Sequence, residues 1–155
     1  MSWKDYVKNQ LIDTLHVKEG AILSAEDGSL WASSPETFCP RAYLGTVMDE
    51  SGAEHDELIN EAANLAEVAR TLKKPRAGLR INHQKYMIVR SMERGSLDDG
   101  LRTIFFKRPG GGGGTLCVTN QCIIIGTFDE LLGQSSASCT ATVEHLGRYL
   151  KQNGF

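Results

Sequence analysis

Four cysteines (Cys39, Cys117, Cys122, Cys139) and four histidines (His16, His55, His83, His145) are the side chains that would supply a nucleophile, a general base or a metal ligand. No Cys-x-x-Cys pair and no His-Glu-x-x-His run joins them, so neither a zinc site nor a disulfide framework is indicated. Cys117 and Cys122 lie inside apolar runs and read as core thiols. Residues 110–114 form a five-glycine run. A phosphate-binding loop leads into a helix, whereas Thr115-Leu116-Cys117-Val118 reads as a strand, so the run is expected to be a flexible hairpin loop. Covalent catalysis, a cofactor and a metal are therefore not expected. What remains is aromatic: Trp3, Tyr6, Trp31 and Tyr149, with His145 four residues before Tyr149. Flat rings carrying N–H or O–H donors suit a polyproline II helix, whose proline rings pack on aromatic faces and whose free carbonyls accept hydrogen bonds. The alternative is that the tryptophans and Tyr6 are ordinary packing residues while His145 and Tyr149 are a solvated surface.

The elements that must position these rings follow from periodicity. Ser2 and Asp5 make a capping-box pattern, and Val7, Leu11 and Leu15 recur at helical spacing, so residues 3–15 are expected to be a helix. Tyr6 falls off that stripe with Trp3 on its flank. At the other end Val143, Leu146 and Leu150 define a buried face for a helix over 138–152, stopped near Gly154, from which His145 and Tyr149 project on a different side. Side by side, the two helices would line one groove, with Trp31 as its floor.

Between them, residues 21–25 and 29–33 read as a hairpin closed by a type I′ turn at Asp27-Gly28. Residues 35–56 are broken by Pro35 and Pro40, with a turn of helix expected at 43–48. Leu58, Ile59, Ala62, Leu65, Ala66, Ala69 and Leu72 predict an amphipathic helix ending before Pro75. Residues 79–82, 85–91, 101–107, 115–119 and 122–128 then read as successive strands with short links, the first pair turning at His83-Gln84. Consecutive strands with short links make an antiparallel meander, and the fold class is α+β in one domain.

The 155 residues suit a single domain over 1–155, and 41% hydrophobic with 23% charged residues is the composition of a folded globular chain. No apolar run is long enough to span a membrane and no apolar leader follows Met1, which predicts a cytoplasmic protein. The net charge of -2 argues against a nucleic-acid binder. It conceals an asymmetry: residues 48–72 hold seven acids against Arg70, and residues 73–108 hold ten bases against three acids. Either the two blocks neutralise each other, or the basic one attracts an acidic surface or anionic lipid head groups.

Met1-Ser2-Trp3 with Tyr6-Val7, Leu30-Trp31-Ala32, Lys85-Tyr86-Met87-Ile88-Val89-Arg90 and Val143-Glu144-His145-Leu146-Gly147-Arg148-Tyr149-Leu150, in this order and at these positions, resemble profilin. The resemblance spans the chain except for residues 37–56, which read as an insertion. It implies a central antiparallel β-sheet with the N- and C-terminal helices on one face and shorter helices on the other. It also implies a cytoplasmic, cytoskeletal protein that binds monomeric actin, promotes its nucleotide exchange and delivers it to proline-rich assembly factors such as formins. A polyproline site would then comprise Trp3, Tyr6, Trp31, His145, Leu146 and Tyr149. The actin face would comprise Lys85, Met87, Val89, Arg90, Arg102 and Lys107, with Ser136 and Thr140 at the start of the last helix. Phosphoinositide lipids are implied as competing ligands of the basic block. A scaffold or trafficking module without actin is the alternative from a different class.

Overall fold

The computed structural model describes residues 2–93 and 100–155; Arg94, Asp98 and Asp99 of the charge blocks lie outside them. The chain opens with the expected capping box: Asp5 N–H donates to Ser2 Oγ at 3.1 Å, and Ser2 N–H donates to the Asp5 carboxylate at 3.2 Å. The helix starts as α1 (Trp3–Tyr6), widens to a π-helical stretch over Val7–Leu11 and tightens to a 3₁₀ turn over Ile12–Thr14. Leu15 departs from expectation. It sits in the left-handed region at φ 67° and is 78% exposed, a conformation that stops a helix. Val7 and Leu11 remain buried, and Val17 takes the third core position.

Seven strands form one antiparallel sheet: β1 (Gly20–Ser24), β2 (Leu30–Ser34), β5 (Leu79–Ile81), β6 (Gln84–Glu93), β7 (Arg102–Arg108), β8 (Gly112–Val118) and β9 (Cys122–Asp129). Their order is β2-β1-β9-β8-β7-β6-β5. The N-terminal helix and α3 (Ser136–Gln152) cover one face, where Val7, Leu11, Ile124, Val143, Leu146 and Leu150 share a core. α2 (Glu61–Thr71) covers the other, with Leu65, Val68 and Ala69 packed on Ile104, Phe106 and Leu116. All four cysteines are free and buried, as expected of core thiols.

Several local expectations are corrected. The Asp27-Gly28 turn is not type I′, because only Gly28 has positive φ; a longer loop is tied by Asp27 Oδ1, which accepts Ser29 N–H at 2.9 Å. The true pair of left-handed residues is Asn82-His83, at φ 53° and 66°, one residue before the expected turn. What holds them there is the buried Glu61 carboxylate, which accepts both their N–H groups at 2.8 Å. Residues 43–48 are not helical. β3 (Ala42–Met48) and β4 (Glu54–Asn60) pair as a separate ribbon, with Tyr43, Val47 and Ile59 turned inward and Leu44 and Leu58 outward. Leu58 and Ile59 thus belong to a strand, and α2 begins only after Asn60 caps it by accepting Ala63 N–H at 3.1 Å. Of the glycine run only Gly110 and Gly111 form the expected hairpin turn, whereas Gly112, Gly113 and Gly114 are buried in β8. A Cβ on Gly114 would lie 2.4 Å from the Gly126 carbonyl and 2.6 Å from the Phe106 ring, a packing reason for glycine that periodicity does not reveal.

Candidate functional site

The off-stripe rings of the terminal helices do meet. Trp3 lies 4.7 Å from Trp31 and 5.7 Å from Tyr6, and Tyr6 lies 5.9 Å from Tyr149, all between ring centroids and all tilted. The order Trp31, Trp3, Tyr6, Tyr149 is a continuous ladder from the edge strand β2 across the N-terminal helix to α3. It works because Val7 and Leu11 fasten one helix, and Val143, Leu146 and Leu150 the other, to the same sheet face. Trp3, Tyr6 and Trp31 are half-buried, and Tyr149 is 46% exposed. The neighbouring Tyr149 hydroxyl holds the Tyr6 phenol above its usual pKa.

Two of the six predicted groove residues stand apart from the ladder. Leu146 is 1% exposed and lies in the core beneath it, so it supports the groove without presenting surface. His145 is exposed but lines a neighbouring polar depression with Gln10, His16 and Thr142. One ring was missed by sequence reasoning. Phe155 meets Trp3 edge-on at 5.0 Å. Gly154, at φ 91°, turns the chain so that Phe155 N–H reaches the Leu150 carbonyl at 2.9 Å, while Thr119 Oγ1 donates to the Phe155 carbonyl at 2.9 Å. The Gly-aromatic pair after a helix was the available signal.

The second predicted surface assembles in part. In β7, Thr103 donates to Glu144 of α3 while Ile104 and Phe106 enter the α2-side core, so alternate residues take opposite faces. Lys107 therefore lies on the α3 face opposite Met87, with Lys85 two residues further along β6. A bulge after Ile88 sets Val89 and Arg90 beside them, where they share a shallow depression with Phe105, Lys107 and Ser136. The Arg90 guanidinium sits 5.2 Å over the Phe105 ring. Arg102 does not join: it pairs with Val118 and emerges on the opposite face beside Ala69 and Arg70. Thr140 turns inward, sharing a 2.7 Å hydrogen bond with Thr115.

The charge blocks stay largely separate. Glu57 pairs with Arg76, which together with His55 holds the Glu57 carboxyl below its usual range. Glu61 is internal, and Arg80 is spent on the Ala77 and Thr46 carbonyls at 3.0 and 2.8 Å. Lys73, Lys74, Lys85 and Lys107 have no acidic partner among the described residues.

The profilin family model matches residues 1–155. Profilin-A of Physarum polycephalum is 30% identical over 155 residues, covering 100% of both chains. Among solved structures, Acanthamoeba castellanii profilin IB superposes with a TM-score of 0.70 at 25% identity, covering 99% of this chain and 100% of that one. Mouse profilin IIa in complex with a double repeat from the FH1 domain of mDia1 superposes with a TM-score of 0.60 at 19% identity over 100% of both chains. With its whole length matched and its terminal helices sharing one face of the sheet, this chain belongs to the profilin family of actin-binding proteins.

Proposed function

We propose that this protein binds monomeric actin through the β6–β7 surface and the start of α3, and binds proline-rich segments through the aromatic ladder. The observation that carries the reading is the unbroken series Trp31, Trp3, Tyr6, Tyr149, with steps of 4.7, 5.7 and 5.9 Å. That length seats between one and two turns of a polyproline II helix, each ~9 Å. The Trp indole N–H and Tyr hydroxyl groups supply donors for its carbonyls, and a stiff ligand loses little entropy on docking. The complex of the mouse relative with an FH1 double repeat supports binding of such a segment.

The actin contact is carried by Lys85, Met87, Val89, Arg90, Lys107 and Ser136, an apolar centre rimmed by cations that suits an acidic partner surface. Met87 is 73% exposed, as a contact residue must be in the free protein. Arg102, on the other face, contributes only if the partner wraps the sheet edge. Because the two surfaces use different residues, actin and a proline-rich partner such as a formin occupy the protein together. That arrangement delivers monomers to assembly factors, accelerates nucleotide exchange on actin, and places the protein in the cytoplasm with the cytoskeleton. No covalent chemistry is involved, and phosphoinositide head groups compete for the same cations.

A titration of monomeric actin with and without octaproline tests this. Simultaneous binding with little mutual effect is expected. No tryptophan fluorescence change at millimolar octaproline, or no actin binding, would overturn it.

A further inference from the structure

The sheet ends unevenly. β6 is 10 residues long, but its outer neighbour β5 has 3 and pairs only with Gln84, Lys85 and Tyr86. In an antiparallel ladder successive residues turn their N–H and C=O groups to opposite neighbours. Gln84 and Tyr86 close the hairpin toward β5, so Ile88 turns its N–H and C=O to the same side, past the end of β5. Among the described residues no backbone group meets them there. Free edges of this kind are usually masked by proline, by a short strand or by a covering loop.

This edge lies instead in a groove. Leu72, at the end of α2, forms one wall, and Met87, Ile88 and Pro109 supply its apolar surface. Lys73, Lys74, Lys85 and Lys107 stand around the rim without an acidic partner among the described residues. Four like charges gathered over an apolar floor repel one another until an anionic group joins them. A bilayer offers phosphate charge but no series of N–H and C=O groups at peptide spacing to a recessed strand edge. An extended peptide offers both, and it can carry acidic groups for the lysines together with apolar groups for the floor.

We propose that the open edge of β6 is a docking site for an extended partner segment of alternating acidic and apolar residues, which adds to the sheet as a strand beside Ile88. The site shares Lys85, Met87 and Lys107 with the proposed actin surface, so such a segment and actin exclude each other, and it is remote from the aromatic ladder. Its validity does not depend on that functional reading.

The test uses the full chain labelled with nitrogen-15 and a short peptide alternating Glu and Val. Binding should slow hydrogen exchange at the Ile88 amide. Methylating the peptide's alternate backbone nitrogens should weaken it about tenfold or more, the equivalent of one or two lost hydrogen bonds. The Lys73→Glu/Lys74→Glu variant, with its melting temperature unchanged, should lose about tenfold in affinity, because both rim charges are reversed. Equal binding of the methylated peptide would refute strand addition. So would an unresponsive Ile88 amide alongside anionic vesicle binding that requires Lys73 and Lys74, which would assign the groove to a lipid surface.

Discussion

Truncating Tyr149 to alanine isolates the ladder from the fold. An aromatic side chain carries roughly 150–250 Å² of surface, and Tyr149 keeps 46% of its own exposed. A proline ring that covers this exposed part removes roughly 90 Å² from water, which at ~25 cal/mol/Å² is about 2 kcal/mol, or about 30-fold in Kd. The buried part packs against Tyr6, and its loss costs about 2 kcal/mol of stability, a fall of roughly 4–8 °C in Tm for a chain of this size. The protein therefore stays folded at room temperature while the affinity collapses. Fluorescence titration with octaproline reads the first quantity, since Trp3 and Trp31 lie 4.7 Å apart inside the ladder. Thermal unfolding reads the second. Tyr149→Phe keeps the ring and loses a hydroxyl, so it should cost only about 1 kcal/mol, or roughly fivefold in affinity. It should also let the Tyr6 phenol, now raised by that hydroxyl, fall back toward 10.0 in an alkaline spectrophotometric titration. If Tyr149→Ala binds octaproline within about threefold of the parent, the exposed ring is not part of the binding surface and the reasoning fails.

Glu61, itself fully buried, accepts hydrogen bonds from Arg41 N–H at 3.2 Å, Tyr43 Oη at 3.0 Å and the Asn82 and His83 N–H groups at 2.8 Å. Glu61→Ala should therefore cost on the order of 3–5 kcal/mol in urea unfolding, and a loss below about 1 kcal/mol would contradict the account. Gly114→Ala should cost about 2 kcal/mol or more by the same measurement, because the new Cβ meets the Gly126 backbone at 2.4 Å; a flexible loop would show no loss. Glu57, held below its ordinary 4.5 by Arg76 and His55, contributes stability that is present above that value and is lost as pH falls through its folded pKa. In Arg76→Ala the Glu57 carboxyl, followed by NMR, should titrate closer to 4.5, and an unchanged midpoint would remove Arg76 as the cause.

Much of the frame was legible because burial imposes periodicity. The capping box at Ser2 and Asp5, the stripe of Val143, Leu146 and Leu150, and the strands after Leu79 all came through within three residues. Errors fell where a distant partner overrides a local signal. Asp27-Gly28 is a good type I′ dipeptide, yet the left-handed pair is Asn82-His83, stabilised by a glutamate 21 residues away. Residues 43–48 and 58–60 lack strong alternation because apolar Leu44 and Leu58 occupy the exposed ribbon face beside inward Tyr43 and Ile59. The glycine run reads as flexible until Phe106 and the Gly126 carbonyl are seen to occupy the space of its side chains.

The sequence by itself determined that two terminal helices each carry aromatic residues off the core stripe, because the angular position of a side chain on a helix follows from residue spacing alone. It also determined that the bases cluster on the strands after Leu72. Only the tertiary structure decided that the rings form one ladder and that Phe155 joins it. It alone put Arg102 on the face opposite Lys107 and left the edge of β6 uncovered among the described residues. The ladder depends on how the two helices dock on the sheet, the open edge on where β5 ends, and the face of Arg102 on strand register, where a shift of one residue would send it to the other side.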